Sequence, residues 1–386
     1  MSLKVAVNPR RIDRSSQRAG AGGWPPDVPV VSMYDAAMAR LGVGILGLSH
    51  DHVWGNLAAL HAGEHGRLVA AAEPDPQLRE RFQKHHGGVA VHDTFDALLE
   101  RRDVDAVFVF SDNRTSAELG VRALERRLPV MIEKPMAADL AGARALRRAA
   151  DASGVPLMVN WPTAWRPALR HGLTLAADGV AGEPTQLNHR GGHAGPREFG
   201  CSPQFCDWLY DPRRNGGGAL VDYCGYGAVL CRLVLGRPAA VIAVTPPPRK
   251  PDLVAEDRAV AILSYPRAFG LLEASWMQIG GEPAFAMIVY GDRGTLIVHQ
   301  PRPTREGERV GVGRVQVVTS DGSRFVDPPP LPADERDGPT HFLSRVAGGG
   351  AVTPFCAPDV GCDVQEVIAA AQRSASTGQR VALPLA

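Results

Sequence analysis

Val130-Met131-Ile132-Glu133-Lys134-Pro135 reads as a short apolar strand that runs straight into a Glu-Lys-Pro turn. Such a strand delivers a cation at its carboxyl end, the end at which open α/β sheets bind ligands. Asp139 caps the helix that follows. The regular apolar face of residues 139–153, closed by Gly154, fits a βα crossover. A Lys-Pro pair in a loop is by itself usually a surface lysine, so its surroundings decide its meaning.

Upstream, the same alternation repeats. Apolar runs at 41–46, 68–72, 89–91 and 105–110 read as strands, and one more follows the crossover at 155–159. Between them lie helical stretches at 54–60, 76–86 and 115–126, with Pro76 at a first helical position after Asp75 and a further helix capped by Asp93 or Thr94. Strands alternating with helices argue for a doubly wound parallel sheet. Residues 40–161 are therefore expected to form a Rossmann-like α/β domain.

After Trp161 the texture becomes β-rich, with strands expected at 185–190, 240–244, 259–264, 270–276, 284–289, 295–298 and 314–318. Gly291-Asp292-Arg293-Gly294 reads as a hairpin turn between two of them. A helix over 218–235 and a closing helix over 360–374, which packs back on the first domain, complete an α+β domain with a largely antiparallel open sheet at 162–386. Residues 1–39, rich in Arg, Gly and Pro without a sustained period, read as a flexible N-terminal arm.

Composition narrows the function. With 386 residues the chain exceeds what one hydrophobic core usually serves. Lys+Arg 42 against Asp+Glu 41 leaves a formal charge of +1, with no broad drive toward nucleic acid or an anionic membrane. A small molecule is the expected partner. No apolar run approaches the roughly 18 residues of a membrane span. Arg10, Arg11, Arg14 and Arg18 lead into Gly20-Ala21-Gly22-Gly23 rather than an apolar segment, so no export signal is expected. The reading is a cytoplasmic protein whose six cysteines stay reduced.

The strand-to-helix turn Gly47-Leu48-Ser49-His50-Asp51-His52 stands where a dinucleotide fingerprint G-x-G-x-x-G would sit. Only the first glycine is present. Ser49 holds the second position and could donate its hydroxyl to a phosphate at the helix N-terminus; His52 holds the third. Asp51 would repel that phosphate unless it turns away or caps the helix. Glu73 ends the second strand, about 20 residues beyond the fingerprint, where an acid hydrogen-bonds the adenosine ribose. No arginine follows it directly, which favours NAD over NADP.

From about Leu41 to the C-terminus the chain resembles the Gfo/Idh/MocA oxidoreductases. Ser111-Asp112-Asn113 loosely matches that family's Thr-Pro-Asn, and Glu133-Lys134-Pro135 matches its Glu-Lys-Pro in full. Gly216-Gly217-Gly218-Ala219-Leu220-Val221-Asp222 and the closing helix 366–374 with Gly378 match its second domain. Trp165-Arg166-Pro167 is similar to the family's R-F-x-P segment, which puts Arg166 near the site. The resemblance implies an NAD(P)-dependent dehydrogenase or reductase acting on a secondary alcohol or ketone of a sugar, cyclitol or polyol. It also implies cofactor contacts from Gly47, Ser49, His50, His52, Glu73, Ser111, Asn113, Glu133 and Lys134, and a homo-oligomer, dimer or tetramer. Departures exist: Tyr226 replaces the usual histidine, Val229 the acid beyond it, and Ser116 another histidine. Two alternatives therefore stay open, a redox-neutral glycoside-cleaving enzyme with tightly held NAD and a non-catalytic dinucleotide sensor.

Asp222 and Tyr226 lie four apart, so on a helix they share a face. If that face meets Lys134, three groups converge. A phenol titrates near 10, too high for an efficient neutral-pH base, and a neighbouring ammonium would hold it down. Tyr226 is then the expected proton acceptor, Lys134 the group that polarises the substrate oxygen, and Asp222 the one that orients the substrate or the lysine. His189, His193, Cys201 and Cys206 lack the spacings of common structural zinc sites, so no metal is expected and His193 is assigned to the substrate pocket. The Lys134-Pro135 peptide is expected to be cis.

Overall fold

The computed structural model describes residues 40–251, 253–280, 285–301 and 311–385. The expected arm, residues 1–39, lies outside the described residues. The first sheet is built from β1 (Leu41–Leu46), β2 (Gly66–Ala72), β3 (Ala90–His92), β4 (Ala106–Val109), β5 (Val130–Glu133) and β6 (Leu157–Asn160). Its order is β3-β2-β1-β4-β5-β6 and every pair is parallel. The helices that follow these strands are α1 (His52–Ala62), α2 (Pro76–His85), α3 (Phe95–Leu99), α4 (Asn113–Glu125) and α5 (Leu140–Ser153). β4, β5 and β6 are buried along their whole length, which is why they read as continuous apolar runs rather than alternating ones. Aspartates start the crossovers: Asp75, Asp112 and Asp139 accept from the N–H groups of Gln77, Thr115 and Gly142 at 2.8, 2.9 and 2.8 Å. Strand order reverses between β1 and β4, so the crevice at their carboxyl ends is the topological switch point.

Beyond α6 (Pro167–Ala177) comes the second sheet. Its strands are β7 (Pro184–Gly192), β8 (Ala240–Val244), β9 (Arg258–Ser264), β10 (Phe269–Ser275), β11 (Phe285–Gly291), β12 (Gly294–His299), β13 (Arg314–Thr319), β14 (Gly322–Val326) and β15 (Val381–Ala382). They lie in the order β14-β13-β12-β11-β7-β10-β9-β8-β15, antiparallel throughout except for β7 beside β10. All seven strands expected from the sequence are present. β14 and β15 were not foreseen: the first is an edge strand with four of its five residues exposed, and the second is two residues long, so neither carries an apolar alternation.

Three short helices, α7 (Pro196–Phe199), α8 (Pro203–Leu209) and α9 (Pro212–Asn215), form an arm between β7 and the glycine triplet. The helix expected over 218–235 is divided. One turn of π-helix, Leu220–Cys224, precedes α10 (Gly225–Val234). Later come α11 (Gly338–Gly348) and α12 (Pro358–Thr377). Arg144 of α5 donates to Glu366 of α12 at 3.2 Å, and Ser374 accepts from the Ala243 N–H of β8 at 3.0 Å, so the closing helix bridges both sheets. Among the described residues no helix is long and apolar enough to cross a membrane.

The glycine triplet has a steric cause. Gly216 sits at φ +95, and a Cβ there would stand 1.9 Å from the Ala138 carbonyl oxygen; one on Gly218 would stand 2.0 Å from that of Glu256. The chain threads between the segment after β5 and Glu256, whose carboxylate accepts from Gly218 and Leu220 N–H at 2.8 and 3.1 Å. That passage delivers Asp222 against Lys134. Gly216→Ala should therefore cost about 1–3 kcal/mol, read as a lower denaturant midpoint at unchanged slope; an unaltered midpoint would remove the steric account.

Candidate active site

Lys134 follows β5 on a turn whose Lys134-Pro135 peptide is cis, as expected. Its Nζ donates to Asp222 Oδ1 at 2.6 Å and lies 5.0 Å from the centre of the Tyr226 ring. The other carboxylate oxygen of Asp222 accepts from the indole N–H of Trp276 at 3.0 Å. Trp161 packs edge-on against Tyr226, with centroids 5.4 Å apart. Lys134, Tyr226 and Asp222 thus meet as the spacing required. The π-turn matters here, because such turns re-aim side chains and recur at functional sites.

Burial opposes the charge on Lys134, yet Asp222, then Tyr226, more than offset it and hold the ammonium above its ordinary range. Burial likewise pushes Asp222 up, and the lysine's charge and hydrogen bond outweigh it, leaving the carboxyl below its usual value. The pair is ionised at neutral pH. For Tyr226 the balance goes the other way: burial raises the phenol further than Lys134 lowers it. This corrects the expectation that the ammonium would hold the tyrosine down: burial of the phenol outweighs the lysine's charge, and the Asp222 carboxylate adds to it. At rest Tyr226 is a proton donor.

These groups line a cavity of about 430 Å³ whose other walls include Arg166, His193, Phe199, Tyr223, Leu169 and Gln300. Gly195 N–H donates to His193 Nδ1 at 2.9 Å, which leaves the ring proton on Nε2 as a donor. The ring stacks on Phe199 at 4.9 Å. Burial, chiefly, pushes His193 down to about 4, so the imidazole is neutral across physiological pH. His52 also reaches the cavity, with Nδ1 3.0 Å from Glu133 Oε2. Asn160 donates to the other Glu133 oxygen at 2.7 Å and accepts from Trp165 at 2.9 Å.

The cofactor candidates lie along the carboxyl edge of the first sheet. Gly47 closes β1 at φ +86, and Glu73 closes β2. Glu73 accepts from Leu48 N–H at 2.6 Å and from Asp75 N–H at 2.9 Å, so it ties the end of β2 to the turn. Glu73, Gly47 and Lys134 thus stand at the carboxyl ends of β2, β1 and β5. Between them the turn is covered by protein. Asp51 turns away from the N-terminus of α1 and accepts from Ser202 N–H at 2.6 Å, and Trp208 donates to the Ser49 carbonyl at 3.1 Å. The buried His50 ring packs on Phe205 and Trp208 at 4.8 and 5.5 Å, while the backbone N–H of His50 donates to the Phe110 carbonyl at 3.0 Å. Ser111 N–H donates to Ser116 Oγ at 3.2 Å, and Asn113 is engaged by Asn215 at 2.7 Å rather than facing the cavity. The carboxylate of Glu73 and the positive φ of Gly47 suit a dinucleotide-binding turn, whereas His50, Phe205 and Trp208 fill the space over it.

The sequence reading did not foresee that candidate ligand atoms of His50, His52 and Glu133 lie within 4.8 Å of one another. His50 Nδ1 accepts the His52 N–H at 3.2 Å, which puts its own proton on Nε2, so the cluster as arranged is a hydrogen-bonded one. Trp276 and Trp161 were missed as well. Each lies just beyond a strand end, a position that marks the mouth of a sheet but no particular role.

Two sequence models of one family match the chain. One, described as an oxidoreductase family with an NAD-binding Rossmann fold, covers residues 39–161; the other, the GFO/IDH/MocA C-terminal domain, covers 173–297. A dTDP-3,4-didehydro-2,6-dideoxy-alpha-D-glucose 3-reductase of Actinomadura kijaniata is 32% identical over 50% of this chain and 56% of its own. An inositol 2-dehydrogenase of Streptomyces avermitilis is 37% identical over 27% of this chain and 30% of its own. The chain thus spans about half, or less, of the length of these curated relatives. Among solved structures, an aldose-aldose oxidoreductase from Caulobacter crescentus complexed with glycerol has a TM-score of 0.75 at 24% identity, covering 89% of this chain and all of that one (100%).

Burial holds His193, His50 and His341 below the ordinary histidine value. The unfolded chain therefore binds more protons below about 6.5, and this stability, present above that pH, is lost as pH falls toward 4. Glu73 and Glu256, raised by burial, act with the opposite sign, so the readout is a comparison. His193→Gln should lose less melting temperature than the parent between pH 7 and 5. Equal losses would show that His193 titrates freely.

Proposed function

The chain belongs to the GFO/IDH/MocA family of NAD-binding Rossmann-fold oxidoreductases, and from that premise we propose that it transfers hydride between a nicotinamide cofactor and a secondary alcohol or ketone carbon of a sugar, cyclitol or polyol. The observation that carries this reading is the Lys134 ammonium, fixed by Asp222 and faced by Tyr226, at the carboxyl end of β5 on the wall of a sugar-sized cavity.

The cofactor, when bound, supplies or accepts the hydride. Lys134 binds the substrate oxygen and stabilises the negative charge that develops on it. Tyr226 exchanges the proton with that oxygen. Asp222, itself fixed by Trp276, keeps the ammonium charged and aimed, and the Nε2–H of His193 orients a neighbouring hydroxyl. Arg166 completes the substrate side. Because Lys134 and Tyr226 both hold their protons at neutral pH, the resting site suits reduction of a ketone, in which the oxygen must gain a proton. In the oxidative direction the tyrosine has first to be freed of its own. For the cofactor, Glu73 would take the adenosine ribose and Gly47, Ser49 and the N-terminus of α1 the phosphates, with His50, His52, Ser111, Asn113 and Glu133 bordering them. NAD is favoured over NADP because Pro74, not an arginine, follows Glu73.

The test is consumption of NADH, and separately NADPH, against a panel of keto-sugars and keto-cyclitols, with the reverse reaction run on the matching polyols. Lys134→Ala should lower turnover by about 10²–10³-fold, the loss typical of a group that stabilises a developing oxyanion, while NADH affinity by fluorescence stays within a few-fold. Turnover close to that of the parent would sink the assignment of Lys134.

We also propose that the chain pairs with a second copy through the outer face of the second sheet. Ile242 and Val244 of β8 stand in register with Ile262 and Val260 of β9, and all four side chains are exposed. Such a contiguous apolar patch marks an interaction surface. Light scattering should give twice the chain mass, and Ile262→Glu should return the monomer; a monomeric parent protein would end the proposal.

A further inference from the structure

Arg166 stands between Trp165 and Pro167, at the start of α6, and its side chain lines the same cavity as Lys134 and Tyr226. Among the described residues it has no hydrogen-bond or ion-pair partner. Other part-buried arginines of this chain do: Arg170 is 2.6 Å from Glu335 and Arg232 is 2.7 Å from Asp363. The second cation of the cavity, Lys134, is held by Asp222. Three charged side chains line the cavity away from His52, two cations and one carboxylate, so one positive charge is left without a counterpart. Glu133 does not supply it, since its oxygens serve His52, Asn160 and the Lys134 N–H. A guanidinium drawn out of water without a partner is costly, and burial indeed weakens its hold on its proton. A bound anion would relieve that cost.

We infer that the substrate is a polyol carrying a carboxylate, an aldonate, a uronate or the corresponding keto acid, whose carboxylate is bound by Arg166. A planar guanidinium presents parallel N–H donors that match a carboxylate edge-on. One carboxylate also balances the single excess charge, whereas a phosphate dianion would overshoot it. The cofactor's phosphates are not the anion in question, because the cavity wall includes neither Gly47, Ser49 nor Glu73. The neutral donors His193 and Tyr226 remain for hydroxyl groups.

The inference rests on the cavity being the substrate site of the proposed oxidoreductase, and binding rather than turnover tests it. D-glucuronate, D-gluconate, D-glucose, sorbitol and D-glucose 6-phosphate are titrated calorimetrically into the full chain, with and without NADH. The carboxylates should bind about tenfold or more tightly than their neutral counterparts, the range of a charged hydrogen-bonded contact. That preference should shrink as salt rises. Arg166→Gln should bring the carboxylates to the level of the neutral sugars, and Arg166→Lys should retain part of the difference, with melting curves confirming that both variants fold. Equal binding of glucose and glucuronate to the parent protein, or a preference that survives Arg166→Gln, overturns the inference. So does tighter binding of glucose 6-phosphate than of either carboxylate. Carboxylate binding through Arg166 without NADH oxidation on any ketone would count against the redox reading alone.

Discussion

The buried contact between Lys134 and Asp222 is the constraint on which the site depends. It joins the end of a parallel strand to a π-turn that lies 88 residues later in the chain and packs under the other sheet. Two charges taken out of water are worth keeping only with close geometry and satisfied remaining lone pairs. The 2.6 Å contact supplies the first and the Trp276 indole the second. Removing either charge strands the other in a dry site, at a cost on the order of 3–5 kcal/mol. This explains why a Glu-Lys-Pro turn and a glycine triplet, unrelated as sequence features, act as one device. The glycines let the chain pass close enough for the carboxylate to arrive.

How legible this was depends on whether a feature is written in local pattern. The parallel sheet was legible because β1, β2, β4, β5 and β6 are apolar runs punctuated by capping aspartates. The antiparallel strands were legible because burial on one face alternates, as in β9, where Ala259, Ala261 and Leu263 point inward and Val260 and Ile262 outward. Helix α6 was missed because it follows directly on a Pro-rich turn, and its Gly172 packs against Val298, a contact that no local periodicity reveals. The π-turn differs from an α-helix by one residue in hydrogen-bond span, which composition does not encode. The convergence of Lys134, Asp222 and Tyr226 could be anticipated from four-residue spacing. The protonation of Tyr226 could not, because it turns on how deeply the phenol is buried and on the Asp222 carboxylate near it.

The departures from the glycine fingerprint are coupled. With His52 at the third glycine position, an imidazole occupies space beside Glu133; with Asp51 before it, the helix N-terminus carries a carboxylate that Ser202 must satisfy. His50 fills the gap under Trp208. What would be a bare phosphate-binding turn is here a packed interface with the arm, closed by Ser202 N–H to Asp51, Trp208 to Ser49 and Asn113 to Asn215. The arm also contributes Phe205 and Leu209 to the cavity wall. The cover of the turn at 47–52 and one wall of the cavity beside Lys134 are therefore built from a single segment, the arm α7–α9, so a change in its packing on one side of Lys134 is felt on the other.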